Sequence, residues 1–134
     1  MGKSTASGND TLTYWLTTDV PAVTRPTTWF MALFTGDPLV DGSGPEVDPV
    51  AEDTSYARQP VTFGIPVSKA ISNDAGVDFA TVTLISSYTI THFAIYDAVT
   101  AGNLLFSGKL VVSRTVLNAD IIQFAVGDIA IEEV

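Results

Sequence analysis

The sequence predicts an all-β fold, an antiparallel β-sandwich or jelly-roll-like barrel with one short N-terminal helix. Three observations carry this. Short runs rich in β-branched and aromatic residues recur between turn signals from residue 56 to the end. No 10–15 residue helical pattern separates them, so parallel βαβ units are not expected. Turn signals at 73–76, 100–103 and 118–120, each carrying Asn with Gly or Asp, separate successive runs.

Residues 1–8, MGKSTASG, are small and polar, and read as a flexible arm and candidate docking tail ahead of a single β domain over 9–134. Asn9 or Asp10 can cap a short helix running to about Thr17, which places Leu12, Trp15 and Leu16 on one face. Its threonines lower its propensity and it is barely two turns long, so packing of Trp15 against the body is expected to hold it. After Pro21 and Pro26, the run TTWFMALFT at 27–35 is apolar on both faces and predicts a buried strand. Residues 36–55 hold Gly36, Pro38, Gly42, Gly44, Pro45 and Pro49, which predicts a long loop. The same stretch carries Asp37, Asp41, Glu46, Asp48, Glu52 and Asp53 with no Lys or Arg, so the loop is expected to be acidic and solvated or partner-facing.

Seven further β runs are expected, over 56–63, 65–71, 77–86, 89–96, 103–112, 121–126 and 128–134. Pro60 and Pro66 demote the first two to edge strands or irregular extended chain, because proline cannot donate to a ladder. Asn73-Asp74-Ala75-Gly76, Thr100-Ala101-Gly102-Asn103 and Asn118-Ala119-Asp120 mark hairpin-type connections. In the last run Ile129 and Ile131 share one face, and Asp128, Ala130 and Glu132 the other.

The 134 residues suffice for one core, and 15 acidic against 6 scattered basic residues give a net charge of −9. Nucleic acid and anionic membrane surfaces are therefore not expected as partners, since both need clustered Lys and Arg. No run approaches a membrane helix in length and no secretory signal is expected at the start. With no cysteine, disulfides and thiolate chemistry are excluded. Only 16% of residues are charged, against ~25% in an average globular chain, so part of the surface is expected to be covered by partners.

No catalytic, cofactor-binding or metal-ligating residue is assigned. His92, the single histidine, stands mid-run without an evident nucleophile or ligand set, and is expected to be structural. Ser107-Gly108-Lys109-Leu110 fails as a phosphate loop: Leu110 replaces the Ser or Thr, Gly102 lies one residue too far away, and both flanks read as strand. Lys109 is then an exposed strand residue. Asp37, Asp41, Gly42 and Asp48 match positions 1, 5, 6 and 12 of a calcium loop, but Leu39 breaks position 3 and no helices flank it. Carboxylates on a Gly- and Pro-rich segment also lack the fixed separation that acid–base pairs need. The aromatic residues in the β runs are assigned mainly to the core.

Four segments in order, WFMALFTGDP at 29–38, YARQPVTF at 56–63, ITHFAIYDA at 90–98 and GNLLFSG at 102–108, resemble small virion structural proteins of tailed bacteriophages, often labelled tail fibre proteins. The resemblance implies a non-enzymatic virion protein, made in the bacterial cytoplasm and incorporated into the particle. Heptads, collagen repeats and a periodic β-helix pattern are all missing, which argues against a long shaft. A compact acidic β domain is expected to act as a capsid decoration or cement protein, with a tail-fibre or tail-tip component as the alternative. A host-glycan-binding or glycan-degrading domain is the third reading. The expected partners are further copies of the chain, as a homotrimer, and the major capsid protein or a tail protein.

Overall fold

The computed structural model describes residues 2–132. Met1, Glu133 and Val134, which belong to the expected arm and the last expected β run, lie outside the described residues. The elements in order are β1 (Gly2–Lys3), α1 (Thr5–Leu16), β2 (Trp29–Phe34), β3 (Gln59–Val61), β4 (Ala70–Ser72), β5 (Val77–Asp78), β6 (Tyr88–Tyr96), β7 (Leu104–Val116), β8 (Gln123–Phe124) and β9 (Ala130–Glu132). The fold is mainly β with one short helix, and every strand pair is antiparallel. One five-stranded sheet runs β1-β7-β6-β2-β3, and β4-β9 and β5-β8 form two-stranded ribbons. The sheets remain open, so the sandwich alternative describes the fold better than a closed jelly-roll barrel.

The apolar run of β2 explains its central place. Met31 and Leu33 pair with Ile95 and Phe93 of β6 and face the main core, which Val77, Phe124, Ile129 and Ile131 from the ribbons complete. Ala32 and Phe34 project to the opposite face and form a second cluster with Ala94, Tyr96 and Leu104. Each fully buried Leu, Ile or Phe contributes about 1.5–3 kcal/mol, so a strand buried on both faces anchors the sheet. Pro60 sits in β3 at the sheet edge, where its missing N–H breaks no ladder on the outer side.

The N-terminal stretch differs from the expected arm. Gly2 and Lys3 pair with Ser107 and Phe106 of β7, and α1 begins immediately afterwards, capped by Ser4, whose Oγ accepts from the Ser7 amide at 3.0 Å. The helix therefore starts five or six residues earlier than a cap at Asn9 or Asp10 would place it. Asp10 serves instead as a tie, its two carboxylate oxygens accepting from the Ala22 and Val23 amides at 2.9 Å each. Trp15 does not hold the helix on the body: α1 has no buried residue, and Trp15 is 74% exposed. Polar contacts hold it, with the Ser7 hydroxyl donating to the Leu105 carbonyl at 2.6 Å and the Thr5 amide to that of Val40 at 2.9 Å.

The acidic segment over 36–55 is a loop without strands of its own, but it is not loosely attached. Bridges join Glu46 to Phe34 and Asp53 to Leu84, Pro38 is buried, and Val47 belongs to the main core. Gly42, at φ +79°, passes so close to Tyr96 that a Cβ there would lie 2.6 Å from the phenol oxygen.

Only two of the expected hairpin connections differ. Residues 97–103 join the paired β6 and β7, with Asp97 accepting from the Asn103 amide at 2.7 Å and its side-chain nitrogen at 2.8 Å. Asn73 lies between strands that pair elsewhere. Its buried amide group donates to the Ala75 and Ala125 carbonyls and accepts from the Ile129 amide, tying the β4 and β9 regions together. The turn at 118–120 likewise joins β7 to β8, which pair with different strands.

Candidate assembly surface

The side chains singled out in the sequence do not converge. His92 is half-buried on β6, with its Nδ1 2.8 Å from the Thr91 hydroxyl. Lys109 is exposed on β7, and Gly108 stands opposite Phe93 within the ladder. Asp37, Asp41 and Asp48 each turn a carboxylate oxygen back to amides of their own loop, those of Leu39, Ser43 and Val50, at 2.7–3.0 Å. These are local turn contacts. The Ser43 hydroxyl and amide hold the Asp41 carboxyl below the usual carboxylate range. Among the described residues, no group of three or more His, Asp or Glu side chains is placed to hold a metal ion.

Two acids of the loop belong to buried clusters that the sequence did not reveal. Arg58 is clamped in a bidentate pair with Glu46, at 2.9 Å through Nε and 2.8 Å through Nη2. Its third nitrogen donates to the Ala98 and Ala101 carbonyls, and the guanidinium lies 3.6 Å from the Tyr96 ring centre. Tyr56 donates to Glu46 at 2.7 Å and accepts from the Leu33 amide, and burial together with the Glu46 charge pushes its phenol far up. Asp53, 2% exposed, accepts from the Tyr88 hydroxyl, the Ser55 amide and hydroxyl, and the Thr83 amide. Burial pushes its carboxyl up, but these donors outweigh burial and hold it below the ordinary value. The acid-rich loop is therefore partly a structural clasp, and Glu46 is not an interchangeable solvated charge.

What the surface offers is apolar. On α1, Leu12 and Leu16 are 58% and 76% exposed beside Trp15, and Tyr14 meets the Trp15 ring edge-on. Val20 follows, almost fully exposed. A helix with an outward apolar face and no buried residue is not explained by the core of its own chain.

β7 carries a second feature. His92 pairs with Lys109 and Ile90 with Arg114, so Leu110, Val111, Val112 and Ser113 stand opposite the single residue Thr91. The bulge leaves Leu110 against the core and pushes Val111 and Val112 into solvent. Among the described residues no strand pairs with the outer edge of β7 beyond Ser107. The bulge interrupts that edge, and Lys109 and Arg114 flank it, which discourages open-ended edge pairing.

A third feature is concave. A cleft of about 540 Å³, floored by Trp29, Phe63, Phe106 and Ile131, opens between the large sheet and the β4-β9 ribbon, with Arg25 and Lys69 also lining it. Lys69 is carried there by a two-residue turn in which both Ser68 (φ 51°) and Lys69 (φ 66°) are left-handed. Such a turn favours Asn-Gly, and each other L-residue in this region costs roughly 1–2 kcal/mol.

In comparisons with known proteins, no curated protein matches the chain. A family model described as podophage GP4 fiber I protein gp80 matches residues 2–132. The matched stretch takes in the helix, the clasped loop and the nine strands found among the described residues, and the chain belongs to this family of phage virion structural proteins.

Proposed function

We propose that the protein is a structural subunit of a tailed-phage fibre, working by self-association and docking and not by catalysis. The family match over residues 2–132 carries this reading, because the family is described as a fibre protein. That description favours the tail-fibre alternative over capsid decoration, the reverse of the order expected from the compact, acidic sequence. The outward apolar face of α1 and the protruding Val111 and Val112 supply surface for subunit contacts, and a closed cyclic arrangement, a homotrimer, is the form expected. A net charge of −9 supports protein partners over nucleic acid or anionic membrane. Antibody raised against the protein and imaged on intact particles should label tail appendages. Label spread over the capsid surface would reinstate the decoration reading, and cleavage of host polysaccharide by the purified protein would overturn the non-catalytic one.

A further inference from the structure

The cleft and the helix are complementary in both shape and charge. The cleft is concave, apolar and rimmed by cations, and no Asp or Glu lines it. This matters in a chain with six basic residues. Arg58 is committed to Glu46, and Arg114 to the Gln123 carbonyl and the Phe124 ring, whereas Arg25 and Lys69 have no ion-pair partner among the described residues. The left-handed Ser68-Lys69 turn places Lys69 at this rim, and strained turns of this kind cluster where a ligand is gripped. On the other side, α1 is convex and apolar along Leu12, Trp15 and Leu16, and the segment from Ser4 to Thr24 contains Asp10 and Asp19 with no Lys or Arg. Asp10 is occupied by Ala22 and Val23, which leaves Asp19 as the acid next to the apolar face.

We propose that α1 of one copy of this chain seats in the Arg25–Lys69 cleft of the next, with Trp15 and Leu16 against Trp29 and Phe106 and the Asp19 carboxylate toward the cationic rim. The volume of the cleft lies in the ~300–1,000 Å³ range of sites that enclose a ligand. An apolar floor with few hydrogen-bonding groups suits aliphatic and indole side chains better than a saccharide. Helix and cleft are different surfaces of one chain, so the contact is head-to-tail, and a head-to-tail contact that closes makes a ring. This inference rests on the self-association reading above and names the surfaces that perform it.

The test uses the full chain, with light scattering to measure mass and circular dichroism to confirm folding. Trp15→Asp breaks the helix face and leaves the cleft intact. The double variant Arg25→Glu, Lys69→Glu breaks the rim and leaves the helix intact. All three residues lie at the surface, so the fold should survive. Each variant should associate at least tenfold more weakly than the parent. An equimolar mixture of the two should form a heterodimer, because one intact helix then meets one intact cleft. Adding Asp19→Lys to the rim variant should restore association. A parent that stays monomeric at high micromolar concentration overturns both this inference and the self-association reading. An oligomer indifferent to the rim reversal, or a mixture that yields no heterodimer, overturns the cleft assignment alone and points to a symmetric helix-to-helix contact.

Discussion

Asp53 and Asp41 stand twelve residues apart in one acid-rich loop, yet only one belongs to the core. Asp41 is exposed and bonded to its own turn, whereas Asp53 is buried and gathers four donors from three residues. Replacing Asp53 with Ala leaves the Tyr88 hydroxyl and the Ser55 amide without their acceptor, so a loss of roughly 2–4 kcal/mol in unfolding free energy is expected. Asp41→Asn should change stability little. The pH dependence follows from the lowered carboxyl of Asp53. A depressed folded pKa means the charged form stabilises the fold above the unfolded pKa, ~3.9, and that this contribution disappears as pH falls through the still lower folded value. The gap between parent and Asp53→Asn in urea midpoint should thus be constant between about pH 7 and 5, then shrink below about pH 4. A gap that widens on acidification would contradict the carboxylate's role. The Glu46–Arg58 clamp makes the same point for the YARQ segment, where Tyr56 and Arg58 close on one loop carboxylate and thereby fasten the loop to the sheet.

At the scale of elements, α1 is the one held least by its own chain. Its N-cap, its Ser7 contact and its Asp10 tie are polar, and its apolar side chains face outward. Removing the cap with Ser4→Ala should therefore destabilise the helix by about 1 kcal/mol without weakening the core. Amide exchange in α1 should accelerate several-fold while the exchange of β2 and β6 amides and the melting temperature stay close to those of the parent. Equal acceleration in β2 and β6 would mean that helix and sheet unfold as one unit. The elements legible in the sequence are those whose pattern is dictated by the core: β2 from its two-faced apolar run, β6 from a β-rich run between turn signals, β9 from its alternation, and the edge position of β3 from Pro60. The helix start is not legible in the sequence, because Ser4 and Asn9 are equally good caps in isolation and only pairing of Gly2 and Lys3 with β7 selects the first. The run over 77–86 became strand only at Val77–Asp78. Beyond it Phe79 and Val82 reach the core while their amides bond to the Ile122 and Asp120 carbonyls, outside any regular ladder. The bulge at Leu110–Ser113 has no local signal at all, since Val111 and Val112 look like core until the register with β6 is known.

For the whole molecule, the surface combines apolar contacts with a net charge of −9 on every copy, and these oppose each other in assembly. The apolar helix, the cleft and the bulge were hidden in the sequence for one reason: residues typical of a core are recognisable, but whether a core receives them depends on packing between distant segments. Their effect against the charge can be weighed. A compact chain of this length has a radius of gyration of ~14 Å, so neighbouring copies sit with centres roughly 30 Å apart. At about 10 mM salt the Debye length is also ~30 Å, and the mutual repulsion of two such copies is several kcal/mol; at about 150 mM the length is ~8 Å and the repulsion falls well below 1 kcal/mol. Exposed pairs such as Asp19 with Arg25 or Lys69 contribute only ~0–1 kcal/mol each and weaken over the same range. Repulsion therefore dominates the salt response. Self-association, followed by light scattering, should strengthen at least tenfold as sodium chloride rises from about 10 to 150 mM, and then level off once the long-range repulsion is screened. Association that weakens steadily with salt would show that charge pairs, and not apolar burial, hold the copies together.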